Sequence, residues 1–171
     1  ADLVIPTDQL LPFVTAVGDG VDVALNRLDV YIWPQARLHP VNAAKRFLNC
    51  ALGRTDLGCA SLTAVPHAIS GRALAQLGAA ALSVPPRALA QAIRAGLSVE
   101  AVHPVDVIRC NAQRPGLNDG RRSRVEQLIL GDHLEAIDWV LSETRSARGG
   151  LTDLERRREL LPDHEHPARC P

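Results

Sequence analysis

Methionine is missing from this chain altogether, even at position 1, and Lys45 is the only lysine among 19 basic residues. A chain that opens Ala1-Asp2-Leu3 without an initiator reads as one with a processed N-terminus. Aromatic residues make up only 3% of the sequence, whereas the hydrophobic share is an ordinary 46%. A core is therefore within reach, but Leu, Ala, Val and Ile must build it. Sandwiches and barrels draw on Tyr, Phe, Trp and Thr, so this composition argues against them and for helices packed closely through small side chains. Sugar-binding clefts, which stack rings on aromatics, are disfavoured on the same ground.

Neither charge sign is in excess: 19 basic residues face 19 acidic ones. Binding to nucleic acid needs a basic face that displaces phosphate counterions, and none is evident. The clusters Arg121, Arg122, Arg124 and Arg156, Arg157, Arg158 sit among acids and read as solvated helix faces. No apolar run approaches the roughly 18–20 residues that a bilayer span requires, so no transmembrane segment is predicted. A leader with a basic start and an apolar stretch is also absent from the first residues. The missing lysines match a GC-rich coding bias and imply no mechanism.

What the chain does contain is an even, dispersed set of cysteines: Cys50, Cys59, Cys110 and Cys170. No two have the spacing of metal ligands, so two disulfides are expected over metal-binding pairs. Three connectivities exist. Cys50–Cys59, closing a short loop, with Cys110–Cys170, pinning the tail, is the preferred one. Disulfides belong to oxidising compartments, so the predicted address is secreted or periplasmic, in the cell envelope.

Along the chain, Leu10, Val14, Val17, Val21, Ala24, Leu28 and Tyr31 alternate at helical spacing. Gly18-Asp19-Gly20 breaks that stripe, leaving a short helix and a longer one over 20–32 that ends before Pro34; a strand over 28–33 is the alternative. Asn42 to Leu52 reads as a helix that Asn42 caps and Gly53 stops. The strongest internal signal is a repeat: Arg72-Ala73-Leu74-Ala75-Gln76 returns as Arg87-Ala88-Leu89-Ala90-Gln91, and Leu82-Ser83-Val84 as Leu97-Ser98-Val99. With Pro85 and Pro86 between the copies, this predicts an αα-hairpin over 72–97, Ala-rich and buried on most sides. Residues 102–110 read as extended, 111–122 as an irregular loop dense in turn residues, and Ser123 opens a helix to about Leu141. Thr152 and Glu155 form a capping box ahead of a short helix.

The expected architecture is all-α: a single compact bundle of about six helices over 1–162, two disulfides, and a C-terminal tail over 163–171 tethered by Cys170. Candidate chemistry is sparse. His164 and His166, in Asp163-His164-Glu165-His166, could ligate Zn²⁺ or Cu²⁺. Asp132, Glu135 and Asp138 share a helix face, read as a solvated acidic stripe rather than a glycosidase pair. The nucleophile elbow, the phosphate-binding loop, the dinucleotide fingerprint and the paired-histidine zinc motif are all absent. The cofactor, oligomeric state and source therefore stay unassigned, and no catalytic residue is named.

The leading expectation is an exported, non-catalytic protein that binds a partner protein or a small apolar ligand. Its site would be the apolar hairpin, through Leu74, Leu77, Leu89 and Ile93. A metal- or haem-binding protein using histidines is the second class. A hydrolase assembled from dispersed Asp, Glu, His and Ser is the third, and a polar pocket gathering such residues would favour it.

Overall fold

A computed structural model describes residues 4–32, 39–107 and 123–143. It overturns the all-α expectation. Six α-helices are present among the described residues, together with a three-stranded mixed sheet in the order β2-β1-β3. The helices are α1 (Thr7–Gly18), α2 (Asp29–Ile32), α3 (Pro40–Ala51), α4 (Gly71–Leu77), α5 (Pro85–Arg94) and α6 (Arg124–Glu143). The strands are β1 (Val23–Asn26), β2 (Ala68–Ile69) and β3 (Val99–His103).

The second predicted N-terminal helix is the element that fails. Val23 to Asn26 is instead the central strand, and all four of its residues are buried. It pairs antiparallel with β2 (Val23 opposite Ile69, Ala24 opposite Ala68) and parallel with β3 (Val23 opposite Val99, Leu25 opposite Ala101). A strand covered on both faces shows no polar alternation, so its apolar residues fall into helical spacing with their neighbours by coincidence. Residues 28–32, the alternative strand, form the short helix α2.

One face of β1 carries Val23 and Leu25 into the main core, against Leu57, Leu62, Ala73, Ala88, Leu89, Ala92, Leu97 and Val99. The other presents Ala24 to Phe13 of α1 and to Val105. A further cluster joins α3, α5 and α6 through Leu48, Ala90, Ala136, Ile137 and Val140. The small residues thus do what the composition suggested, letting helices approach the sheet and one another closely.

Buried polar groups anchor both ends of β1. The Asp22 carboxylate accepts hydrogen bonds from Ser70 Oγ (2.9 Å), from the Ser98 N–H (2.9 Å) and from the Arg72 guanidinium. Burial pushes this carboxyl up, but the bonds from Ser98, Arg72 and Ser70 outweigh it and hold it below the ordinary value. At the other end Asn26 donates to the Val65 and Val105 carbonyls (2.8 and 3.0 Å) and accepts from the Val105 N–H (2.9 Å).

The repeat forms α4 and α5, but they are joined through a 3₁₀ turn over Ala79–Ser83 rather than a tight connection. The second Leu-Ser-Val copy leads into β3. In α3 the cap position is His39, with Pro40 in the first turn, three residues ahead of the Asn42 expected. The Cys50–Cys59 bridge is not formed: both residues are free thiols, Cys50 exposed and Cys59 buried. Cys50 is exposed, whereas Cys59 is buried with its thiol donating to the Asn42 carbonyl (3.5 Å). Cys110, Cys170, the 111–122 loop, the capping box and the tail lie outside the described residues.

Candidate functional site

Where the chain leaves β1 it runs Arg27, Leu28, Asp29 into α2. A cleft of about 920 Å³ opens there between α2, α3, the Arg54–Gly58 turn and β3. Its lining is charged: Arg27, Arg46 and Arg54, with Asp29, Asp56 and Glu100, and with Val30 and Ala101 as apolar members.

Two of the arginines are held rigidly. The Val23 N–H donates to the Ser98 carbonyl just ahead of β3, so strand alternation turns the Val99 and Ala101 carbonyls away from β1; the register shift between Leu25 and Asn26 is what brings the His103 carbonyl back to the Arg27 N–H. Arg27 reaches around and donates to Ala101 O from Nε (3.0 Å) and Nη2 (2.7 Å). Arg54 donates to Val99 O from Nη2 (2.6 Å) and grips Asp56 through Nε and Nη2 (2.9 and 2.7 Å). These bonds hold the Asp56 carboxyl below its usual range. In both arginines the bonds use Nε and Nη2, which among the described residues leaves Nη1 as a fixed, uncommitted donor group.

The back wall of the cleft is Gly58. Its backbone (φ 51°, ψ −118°) occupies the mirror image of the ordinary extended region, which glycine alone adopts freely. A Cβ there would collide with the Asp29 carboxylate. Asp29 accepts from the Cys59 N–H (3.0 Å), while Asn49 Nδ2 donates to the Gly58 and Ala60 carbonyls (both 2.9 Å). The turn is thus stitched to α2 on one side and α3 on the other.

Behind that wall lies a second polar group, away from solvent. Ser61 and His133 are 1% and 0% exposed. Ser61 Oγ lies 3.2 Å from His133 Nε2, and His133 Nδ1 lies 2.6 Å from the Ile129 carbonyl. A carbonyl only accepts, so the proton sits on Nδ1 and Ser61 donates to Nε2. Burial pushes the His133 imidazole down to about 4. Burial likewise pushes the Cys59 thiol up to about 12, with nearby Asp29 adding to it. Lys45, one turn before Asn49 on α3, is 7% exposed, and burial holds its ammonium below the usual value.

Of the four predicted hairpin residues, Leu89 is fully buried in the main core, and Leu77 and Ile93 pack against that core. Leu74 faces outward at 42% exposure. None of the four lines the cleft beside β3, and α5 meets α6 directly through Ala90 and Ala136. His164 and His166 lie outside the described residues. Of the remaining histidines, His39 is near Glu126 (3.6 Å), His67 Nδ1 is 3.1 Å from Ala64 O, and His103 meets the Phe13 ring edge-on. Among the described residues, no three His, Cys, Asp or Glu side chains converge as metal ligands. In the acidic stripe, Glu135 pairs with Arg87 (3.3 Å), and Arg87 also lies over Trp139.

Sequence reasoning missed the cleft. Arg27, Arg54 and Glu100 are far apart in the chain and meet only because β1 and β3 pair. The one local signal was the dense turn Arg54-Thr55-Asp56-Leu57-Gly58. Comparison with protein-family models, with curated proteins and with solved structures found no match to this chain.

Proposed function

We propose that this chain is a non-catalytic binding protein whose ligand is a small polar molecule carrying an anionic group, held in the cleft beside β3. The observation that carries this is the pair of pre-set guanidiniums, Arg27 and Arg54, each anchored on a β3 carbonyl, with Nη1 given no acceptor among the described residues. Donors fixed before binding lose little freedom when a ligand arrives, which is how a site gains affinity from few contacts. The cleft volume falls in the usual range for small-molecule sites. Its charged lining replaces the apolar ligand expected from the hairpin with a polar one. Glu100 and Asp29 share the wall, so a ligand bearing a cationic group beside its anionic one is the best match.

Calorimetry with small carboxylates, amino acids and organic phosphates tests the proposal. Binding by at least one class, weakened about tenfold or more in Arg27→Gln through loss of a charge-assisted bond, is the expected result. Heat signals that Arg27→Gln and Arg54→Gln leave unaltered would remove the cleft as the site.

A hydrolase is the second reading, favoured by the Ser61–His133 hydrogen bond. Both residues are sealed from solvent, and no acid orients the imidazole; the Ile129 carbonyl does. Rapid labelling of Ser61 by a fluorophosphonate would favour this reading over the first. The compartment was inferred from sulfur pairing, and the free thiols of Cys50 and Cys59 withdraw that bridge from the inference.

A further inference from the structure

The edge of β3 beside the cleft carries a donor besides the two arginines. Val23 lies opposite Val99 and donates to Ser98, and Leu25 lies opposite Ala101, so the ladder to β1 runs through the residues that flank Val99 and Ala101. In a strand the N–H and C=O of one residue point to the same side. Val99 and Ala101 therefore turn their N–H groups outward along with their carbonyls. Those two carbonyls are about 7 Å apart, two residues of strand rise, and the Ala101 N–H lies between them. Arg54 caps the first carbonyl and Arg27 the second, so this N–H opens into a gap with a guanidinium on each side. It has no acceptor among the described residues, and Ala101 lines the cleft.

The charges around the gap are unequally matched. Arg54 is met by Asp56 through two bonds, whereas Arg27 bonds to no carboxylate. Glu100, next to Ala101 in the chain, is exposed, and its carboxylate has no hydrogen bond or ion pair among the described residues. Arg46 and Asp29, the other charges of the lining, cancel in sign. One uncompensated cation and one uncompensated anion thus flank a backbone donor. A singly charged anion joined to a cation complements that set; a phosphate monoester would bring two negative charges against Glu100.

On the reading that the cleft takes an anionic small molecule, we infer that its ligand is a free α-amino acid, with the carboxylate received by the Ala101 N–H between Arg27 and Arg54 and the ammonium by Glu100. Carboxylate and ammonium share one carbon in such a ligand, as their two receivers share one peptide bond. The donors are set before binding, so the carboxylate gains charge-assisted bonds at little cost in ordering. At about 920 Å³ the cleft is larger than these two groups need, and the ligand's side chain extends along the rest of the lining, which includes Val30 and Thr55.

Calorimetry on the full chain tests the assignment. The probes are the protein amino acids, each beside its des-amino acid, which keeps the carboxylate and has hydrogen in place of the ammonium, and glycerol phosphate as the dianion. At least one amino acid should bind at least about tenfold tighter than its des-amino partner. Glu100→Gln should remove that preference by weakening the amino acid alone, while Arg27→Gln weakens both. A Glu100 that only supported the fold would shift both ligands together. A preference that survives Glu100→Gln overturns the inference, as does a des-amino acid or glycerol phosphate that binds as tightly as any amino acid; these results leave the cleft standing as an anion site. No binding by any probe, or binding that Arg27→Gln leaves unaltered, overturns both.

Discussion

Ser61 and His133 are bonded through Oγ and Nε2 at 3.2 Å in a site closed to solvent, where the charge of Lys45 adds to the effect of burial in disfavouring an imidazolium. The imidazole must be neutral there, because its Nδ1 proton is given to Ile129 O and its Nε2 lone pair to Ser61. Stability is therefore linked to pH in a definite sense. The folded value is depressed to about 4 from the ordinary 6.5, so the unfolded chain takes up a proton first as pH falls. Stability is full above the ordinary value and declines on the way down to the depressed one. About 3 kcal/mol is lost in all, at roughly 1.36 kcal/mol per unit. Urea midpoints across this range should trace that decline, and His133→Gln should flatten it.

Asp22 acts in a lower window. Its carboxyl is held below 3.8, so its contribution persists above that value and disappears as pH falls beneath it. Asp22→Asn puts an amide donor among groups that already donate, and about 2–4 kcal/mol should be lost. Arg72→Ala should cost nearer 1 kcal/mol, since that side chain is 66% exposed. Equal losses in chemical unfolding would contradict this picture of a buried acceptor served by a surface donor.

Alkylation separates the two described cysteines. In native protein without reductant, iodoacetamide should modify Cys50 readily and leave Cys59 intact, because its thiol is buried and its ionisation is pushed to about 12. After unfolding both should react. A Cys50–Cys59 disulfide peptide in the native digest would contradict the structure.

Two glycines with positive φ should respond unequally to alanine. Gly53 (φ +74°) has open space where a Cβ would go, so Gly53→Ala should cost about 1 kcal/mol of backbone strain. Gly58→Ala adds a collision with the Asp29 carboxylate and should cost about 3 kcal/mol or more. It should also weaken ligand binding, because the wall of the cleft has to shift. Unfolding curves and calorimetry on the two variants check both statements.

Local signals carried the readable part of the fold. Ser123 was expected to open a helix, and its Oγ accepts the Glu126 N–H (3.1 Å) at the start of α6. Gly53, with φ +74°, ends α3 as anticipated. β1 was hidden because four buried residues in a row carry no period. The repeat misled for a related reason. Arg72 and Arg87 hold equivalent positions, yet one binds Asp22 and the other Glu135. Leu74 is exposed and its counterpart Leu89 is wholly enclosed. Identical pentapeptides share a helical propensity, but what each helix packs against is decided by distant parts of the chain. The cleft was illegible on the same ground, since β1–β3 pairing brings its arginines and carboxylates together.

Anchoring guanidiniums on Val99 O and Ala101 O also limits how far this sheet can grow. A fourth strand, from this chain or a second molecule, laid alongside β3 would need those same two acceptors, and it would have to evict Arg27 and Arg54 to reach them. On the far side β2 offers a template only two residues long. Among the described residues the sheet therefore stops at three strands, guarded against polymerisation by the side chains that line its cleft.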